Sequence, residues 1–532
     1  MKKNGPFVAL ILFSIFTFLF SGNAVAKSLT FKEKVSLIDD AASRGGMESA
    51  RLIFSFLRDG DMRVRTYALS RLVDLGEEAV PVLVENIGDE EVRWLVSGAL
   101  INIGEKCIPA LMDVLRRGSS REKANALFVI EQLEAGEAVP LIRKLVHDPN
   151  PDVRVRAISA LGKIAGEENV SFIVDFLGDE DEDLRNAAIT VLGEVGEEAL
   201  PYLASVFQSG TTRERVSALK ALGRIPSERS YKLLVEGLGD VEPQVRYQAC
   251  VSLGDLGMGK AVEVLVRLFN DPVGYVREAA VDAVAKLASP GDPIIRKLLE
   301  EGNEGEKISA AAVVRKRKFT AFSRHLAFLL KDPSPAVRVA AAAALIELED
   351  PATIEPLVNA LKDEQVRWFA ILALKRFGHK NIRPLLSRDE DTELNYWKQY
   401  TLEQMGEKAI EGCIAVLKKS SDLGVKVSSI CTLSQIRSQK AVYPLVKLLS
   451  DERLADVVEF VLEKMDSHSV EPLIVGLSDE DPTVRKRCAR ILGRIGDERA
   501  LKPLLSLACT DEVKEVRLAA VESANAIAGS GE

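Results

Sequence analysis

Residues 181–196 read DEDLRNAAITVLGEVG, and the order of polar and apolar residues in that stretch decides the fold. Asp181 can accept from the free N–H groups of a helix N-terminus. Arg185 comes four residues later, and Ala188, Ile189, Leu192 and Val195 then recur at a spacing that lays them along one helical face, with Glu194 opposite. The same phrase returns as DEEVRWLVSGALINIG at residues 89–104, EPQVRYQACVSLGDLG at 242–257 and DPTVRKRCARILGRIG at 481–496.

On either side of this stretch, a basic anchor equivalent to Arg185 recurs every 28 to 32 residues from Arg65 to Arg517, with Asn395 and Ala455 at the two positions that lack it. A capping side chain stands four residues before most anchors, as at Asp61, Asp89, Asn150, Asp363, Asp391 and Asp481, and Pro151, Pro335 and Pro482 occupy the first helical position. Glu122, Glu214 and Glu306 each lie three residues after Ser119, Thr211 or Asn303, which is capping-box spacing. A second apolar stripe precedes each anchored helix, as in AVPVLVENIG from Ala79, so every unit is a helix A and then a helix B. Neither can bury its stripe alone, so neighbouring units must stack. These features predict an all-α, right-handed α-α superhelix, a solenoid of about sixteen helical hairpins continuous over residues 47–532, with a capping helix within residues 27–46.

From about Met47 to Ala528 the residues resemble the HEAT-repeat superfamily, a HEAT/armadillo-like solenoid fold, and especially the short V-R-x-x-A-x-x-A-L-G repeats of the bilin (PBS) lyases. The resemblance implies that helix B, which bears the V-R pair, lines the concave surface. It implies little about function, since one repeat architecture serves many tasks.

Composition narrows the classes of partner. Apolar residues are 47% and aromatics only 6%, the mixture of a core built from Ala, Leu, Val and Ile. A net charge of -9 with both signs interspersed leaves no basic stripe, so nucleic acid is excluded as a partner. Residues 1–26 read as a signal peptide: Lys2 and Lys3, an apolar run from Phe7 to Phe20, then Ala24-Val25-Ala26. The protein is therefore expected to be exported, periplasmic or secreted in a bacterial host, with no membrane span after cleavage and a possible association with the envelope. Among the six cysteines, Cys107, Cys250, Cys413, Cys488 and Cys509 fall where other repeats carry small apolar residues and are expected as free or buried thiols; none has C-x-x-C spacing.

The sequence offers no catalytic constellation, no metal site and no cofactor motif. The four histidines, His147, His325, His379 and His468, are not succeeded by Glu; deoxyhypusine hydroxylase, a HEAT-like enzyme, holds its iron with His-Glu pairs. The acidic run 179–183 overlaps a helix N-terminus, where acids are favourable without a cation. The basic run Arg315, Lys316, Arg317 and Lys318 breaks the apolar pattern at Arg317 and is the candidate anion-binding site, for an envelope polymer, lipid headgroup or acidic protein. An aromatic stripe at positions two and five after successive anchors supplies the partner-binding candidates Phe369, Leu372, Trp397, Tyr400 and Phe460. The leading expectation is an exported, non-catalytic scaffold holding another protein on its concave surface. A lyase-like HEAT enzyme and a binder of an anionic envelope polymer are the alternatives.

Overall fold

The computed structural model describes residues 29–164, 166–378, 382–436 and 438–529. The leader expected over residues 1–26 and His379 lie outside them. The described residues form α-helices, short 3-10 turns and no strand, and the chain divides into two compact units, Met1–Met258 and Gly259–Glu532. Each unit is an all-α stack of A and B helices in the solenoid manner.

The first unit opens on α1 (Phe31–Arg44), started by a capping box between Thr30 and Glu33. Three of its B helices, α2 (Arg93–Ile103), α3 (Ser120–Gln132) and α4 (Pro151–Lys163), pack each on the next. In the second unit their counterparts are α5 (Arg367–Phe377), α6 (Thr392–Met405) and α7 (Leu423–Ile436), again packed in order. The stretch Arg93–Arg117 has the length and hydropathy of a membrane span. It is folded instead as a hairpin, because Gly104 adopts φ 77°, closed to most side chains, and ends α2 before the helix Ile108–Arg117 begins.

The amphipathic pattern maps directly onto burial. In the helix Glu182–Val195, Leu184, Ala188, Ile189 and Leu192 are buried, Val195 at the helix end is only half-buried, and Glu194 is exposed; a Leu so buried contributes about 1.5–3 kcal/mol. The three capping boxes read from the sequence all form, at Ser119/Glu122, Thr211/Glu214 and Asn303/Glu306. Asp89 and Asp363 act one turn earlier than expected. Residues 90–92 and 364–366 form a turn, and regular helix starts only at Arg93 and Arg367. Asp89 accepts from the Glu91 N–H and Asp363 from the Gln365 N–H, both at 2.9 Å.

Several of the anchors turn out to be inter-repeat ties, while Arg185 bonds to the Asp179 carbonyl of its own unit. Arg154 donates to the carbonyl of Asp148 at 3.1 Å in its own unit and pairs with Asp181 in the next. Arg485 does the same with the Asp479 carbonyl at 2.8 Å and the Asp511 carboxylate at 2.7 Å. Lys123–Asp148 and Lys307–Asp332, each at 2.8 Å, repeat the tie with an ammonium. These pairs are half-buried and charge-assisted, so their geometry is held better than that of exposed pairs. Asn395 cannot reach across. It folds back on its own loop, exchanging hydrogen bonds with Asp389 at 2.7 and 2.9 Å.

Among the described residues no cysteine is joined in a disulfide. Four are buried; Cys431 is half-buried and Cys509, expected at a core-like position, is exposed. Burial pushes the Cys107 thiol up to about 11 and that of Cys413 to about 12, so both stay protonated and unreactive near neutral pH.

Candidate functional site

Four aromatic rings meet on the B-helix face of the second unit. Trp368 on α5 lies edge-on to Trp397 and Tyr400 of α6, with ring centroids 6.1 and 6.0 Å apart. Trp397 also meets Tyr400 at 5.6 Å and Tyr396 at 5.1 Å. All four contacts are near-perpendicular, the arrangement aromatic quadrupoles favour. Helical spacing brings Tyr396, Trp397 and Tyr400 together on one side of α6, and the packing of α5 on α6 adds Trp368.

The cluster has a fixed inner edge and a free outer one. Arg367, only 8% exposed, lies 4.1 Å from the Trp397 ring centroid and pairs with Glu393 at 3.0 Å, while Trp397 Nε1 donates to the same carboxylate at 3.3 Å. Its Nε donates to the Leu361 carbonyl at 2.8 Å, so the guanidinium is held from three directions. Trp368 and Tyr396, by contrast, are 55% and 61% exposed. Beneath them Lys398 occupies a position that is Ala126 in α3. It is buried, its Nζ donates to the Ser387 carbonyl at 3.1 Å, and burial pulls its ammonium below the usual lysine range.

Trp397 and Tyr400 therefore come together as the sequence suggests. Phe369 is half-buried beside the cluster and Leu372 is exposed on α5. Phe460 is exposed on the helix Ala455–Lys464, two repeats beyond Trp397, with the Lys464 ammonium 5.7 Å from its ring. Trp368 and Tyr396 escape a reading by stripe because they stand one residue after the anchor position, whereas the stripe lies at positions two and five. The signal that finds Trp368 is the recurrence of Val-Arg-Trp at residues 92–94 and 366–368.

The basic run is engaged locally. Arg315, Lys316 and Arg317 form the last turn of the helix Glu304–Arg317, where cations complement the helix dipole, and Lys318 is its left-handed C-cap. Lys316 pairs with Asp282, Lys318 with Glu347 at 3.2 Å, and Arg317 lies 5.5 Å from the Phe319 ring. Phe319 is buried and supplies the apolar contact that Arg317 does not. Of the histidines, His325 places Nε2 3.1 Å from Glu300.

The first unit contains a counterpart of the aromatic cluster in the same register. Trp94 on α2 meets Phe128 on α3 edge-on at 6.0 Å. Arg156 on α4 lies 5.8 Å from the Phe128 ring and 3.8 Å from Glu131 Oε2. Burial raises the Glu131 carboxyl above the usual range despite the opposing pull of Arg156. On the flank, Arg121 pairs with Glu90 at 2.7 Å.

Against known proteins, a family profile described as HEAT repeats matches residues 108–189, 145–223, 170–243, 209–285, 231–314, 323–394 and 458–525, together more than half of the chain. No curated protein matches it. Similar solved structures include importin beta in an ammonium sulfate condition, with 13% identity over 90% of this chain and 82% of that one at a TM-score of 0.33. Kap121p is 13% identical over 90% of this chain at a TM-score of 0.31, and this chain spans 66% of its length. Human deoxyhypusine hydroxylase in complex with glycerol is 22% identical over 45% of this chain and 96% of that one, with a TM-score of 0.20. These are likenesses of helical-repeat fold alone.

Proposed function

The chain belongs to the HEAT repeat family, and from that premise we propose that it is an exported, non-catalytic scaffold that holds another protein on the B-helix face of its second unit. The observation that carries this reading is the solvent-facing cluster of Trp368, Tyr396, Trp397 and Tyr400, which uses two of the chain's three tryptophans. Rigid aromatics that lose little freedom on contact are the usual anchors of a protein interface. Export rests on residues 1–26 alone. The reading as a polymer binder has less support, because Lys316 and Lys318 already face acids.

The test is crosslinking in the native host and then affinity measurement with the captured partner. Alanine at Trp368 and Tyr396, whose rings are mostly exposed, should leave helicity and unfolding unchanged and weaken the partner by about 2 kcal/mol or more. An unaltered affinity in this double variant would remove the aromatic cluster from the contact.

A further inference from the structure

Two junctions of three B helices share one frame. Residues 89–94 and 363–368 read DEEVRW and DEQVRW; Glu131-Gln132-Leu133 and Glu403-Gln404-Met405 stand at the C-terminal ends of α3 and α6; and α4 and α7 carry Val153-Arg154-Val155-Arg156 and Val425-Lys426-Val427-Ser428. In this register Trp94 corresponds to Trp368, Phe128 to Tyr400, Glu131 to Glu403 and Arg156 to Ser428. On the flank, Glu90 corresponds to Glu364 and Arg121 to Glu393.

In the first unit the guanidinium of Arg156 joins the aromatic ring to the carboxylate, and Arg121 neutralises Glu90. In the second unit the acids and rings remain while both cations are replaced. Glu403 is exposed and, among the described residues, accepts only from Gln399 Nε2 at 3.4 Å. Glu364 is exposed as well, and Glu393 is committed to Arg367. Among the described residues no cation lies over the Trp368 or Tyr400 ring, although Trp397 in the same cluster already stacks with Arg367. A ring face beside a carboxylate attracts a guanidinium both through its quadrupole and through charge.

We propose that the aromatic face of the second unit binds a basic segment of its protein partner, with an arginine side chain taking beside Tyr400 and Glu403 the place that Arg156 holds beside Phe128 and Glu131. This rests on the proposed contact face and specifies its chemistry. The arginine is preferred to lysine because a planar group can stack on the ring and reach the carboxylate together.

The test uses the full chain with Trp94→Phe, so that Trp368 and Trp397 are the only tryptophans. Their emission is monitored on titration with an acetylated Gly-Arg-Gly-Arg-Gly amide and with its citrulline twin, which keeps the shape and loses the charge. The arginine peptide should perturb the emission saturably and the citrulline peptide should not. Ser428→Arg, which installs the internal cation of the first unit, should weaken the arginine peptide about tenfold or more, and Glu403→Gln should weaken it less. Equal response to the citrulline peptide, no response to the arginine peptide, or unchanged affinity in Ser428→Arg overturns the proposal. The two readings separate cleanly: a natural partner lost on alanine at Trp368 and Tyr396 but retained by Ser428→Arg keeps the contact face and rejects the cation.

Discussion

The junction of α2, α3 and α4 and the junction of α5, α6 and α7 are built on one backbone plan and both expose a tryptophan, yet one sets its own arginines against its ring and acids while the other has none in those two places. The buried positions are shared: Ile130 and Leu402 occupy the same place, at 0% and 1% exposure. The differences that set the two faces apart, Arg156 against Ser428 and Arg121 against Glu393, lie outside that buried layer, although Lys398 and Asn395 also depart from Ala126 and Lys123 within the stack. A repeat protein can thus alter one joint for recognition while its neighbours stay structural, because the stripe that buries each hairpin and the face it presents are different residues on one helix.

The sharpest way to test that the frame is shared is to damage it equally on both sides. Ile130→Ala and Leu402→Ala should each cost about 2–5 kcal/mol, read from urea unfolding of the full chain, with the loss local to the unit that carries the change. If Leu402→Ala is far milder, the second junction is loosely packed and the correspondence fails. A smaller effect is expected at Lys398, where the first junction has Ala126. Burial lowers its folded-state pKa, so this group favours folding fully only above its unfolded pKa, and that contribution is lost as pH falls through the folded value. Lys398→Met should therefore raise stability at neutral pH by about 1–2 kcal/mol, and the gain should shrink in alkaline buffer. No gain in thermal unfolding would mean that the bond to Ser387 outweighs the burial. The smallest effect concerns Glu131, whose folded-state pKa is raised. Its contribution is present below the unfolded value and lost as pH rises through the folded one, so Glu131→Gln should flatten the decline in stability from about pH 4 upward by less than about 1 kcal/mol. Arg156→Ser, which removes the opposing charge, should steepen that decline; a profile indifferent to both changes would detach Arg156 from Glu131.

The stacked hairpins are legible in the sequence because burial demands the same residue types at the same spacing in every unit. Capping boxes such as Ser119/Glu122 are legible for the same reason, being purely local. Trp397 and Tyr400 stand out as departures from the pattern. Trp368 and Tyr396 do not, since the partners of Trp368 lie on the neighbouring repeat and an exposed position one residue after an anchor carries no periodic constraint. The anchors themselves read as a repeat signature; that several of them reach into the next repeat is a fact of packing, visible only when Arg154 meets Asp181 and Arg485 meets Asp511. The basic run of residues 315–318 looks unusual in isolation, because nothing in one strip of sequence reveals that Asp282 and Glu347 stand opposite.

The fold-back of Asn395 has a mechanical consequence. Where its ionic tie would cross to the next repeat, α6 and α7 are joined by amides and hydroxyls, with Gln399 donating to Gln435 and Thr432 Oγ1 meeting Gln399 at 3.4 Å. Ionic strength weakens carboxylate ties such as Arg154–Asp181, whereas the amide and hydroxyl contacts between α6 and α7 carry no net charge to be screened. As the surroundings become saltier, joints tied by ions loosen while this seat keeps its hold.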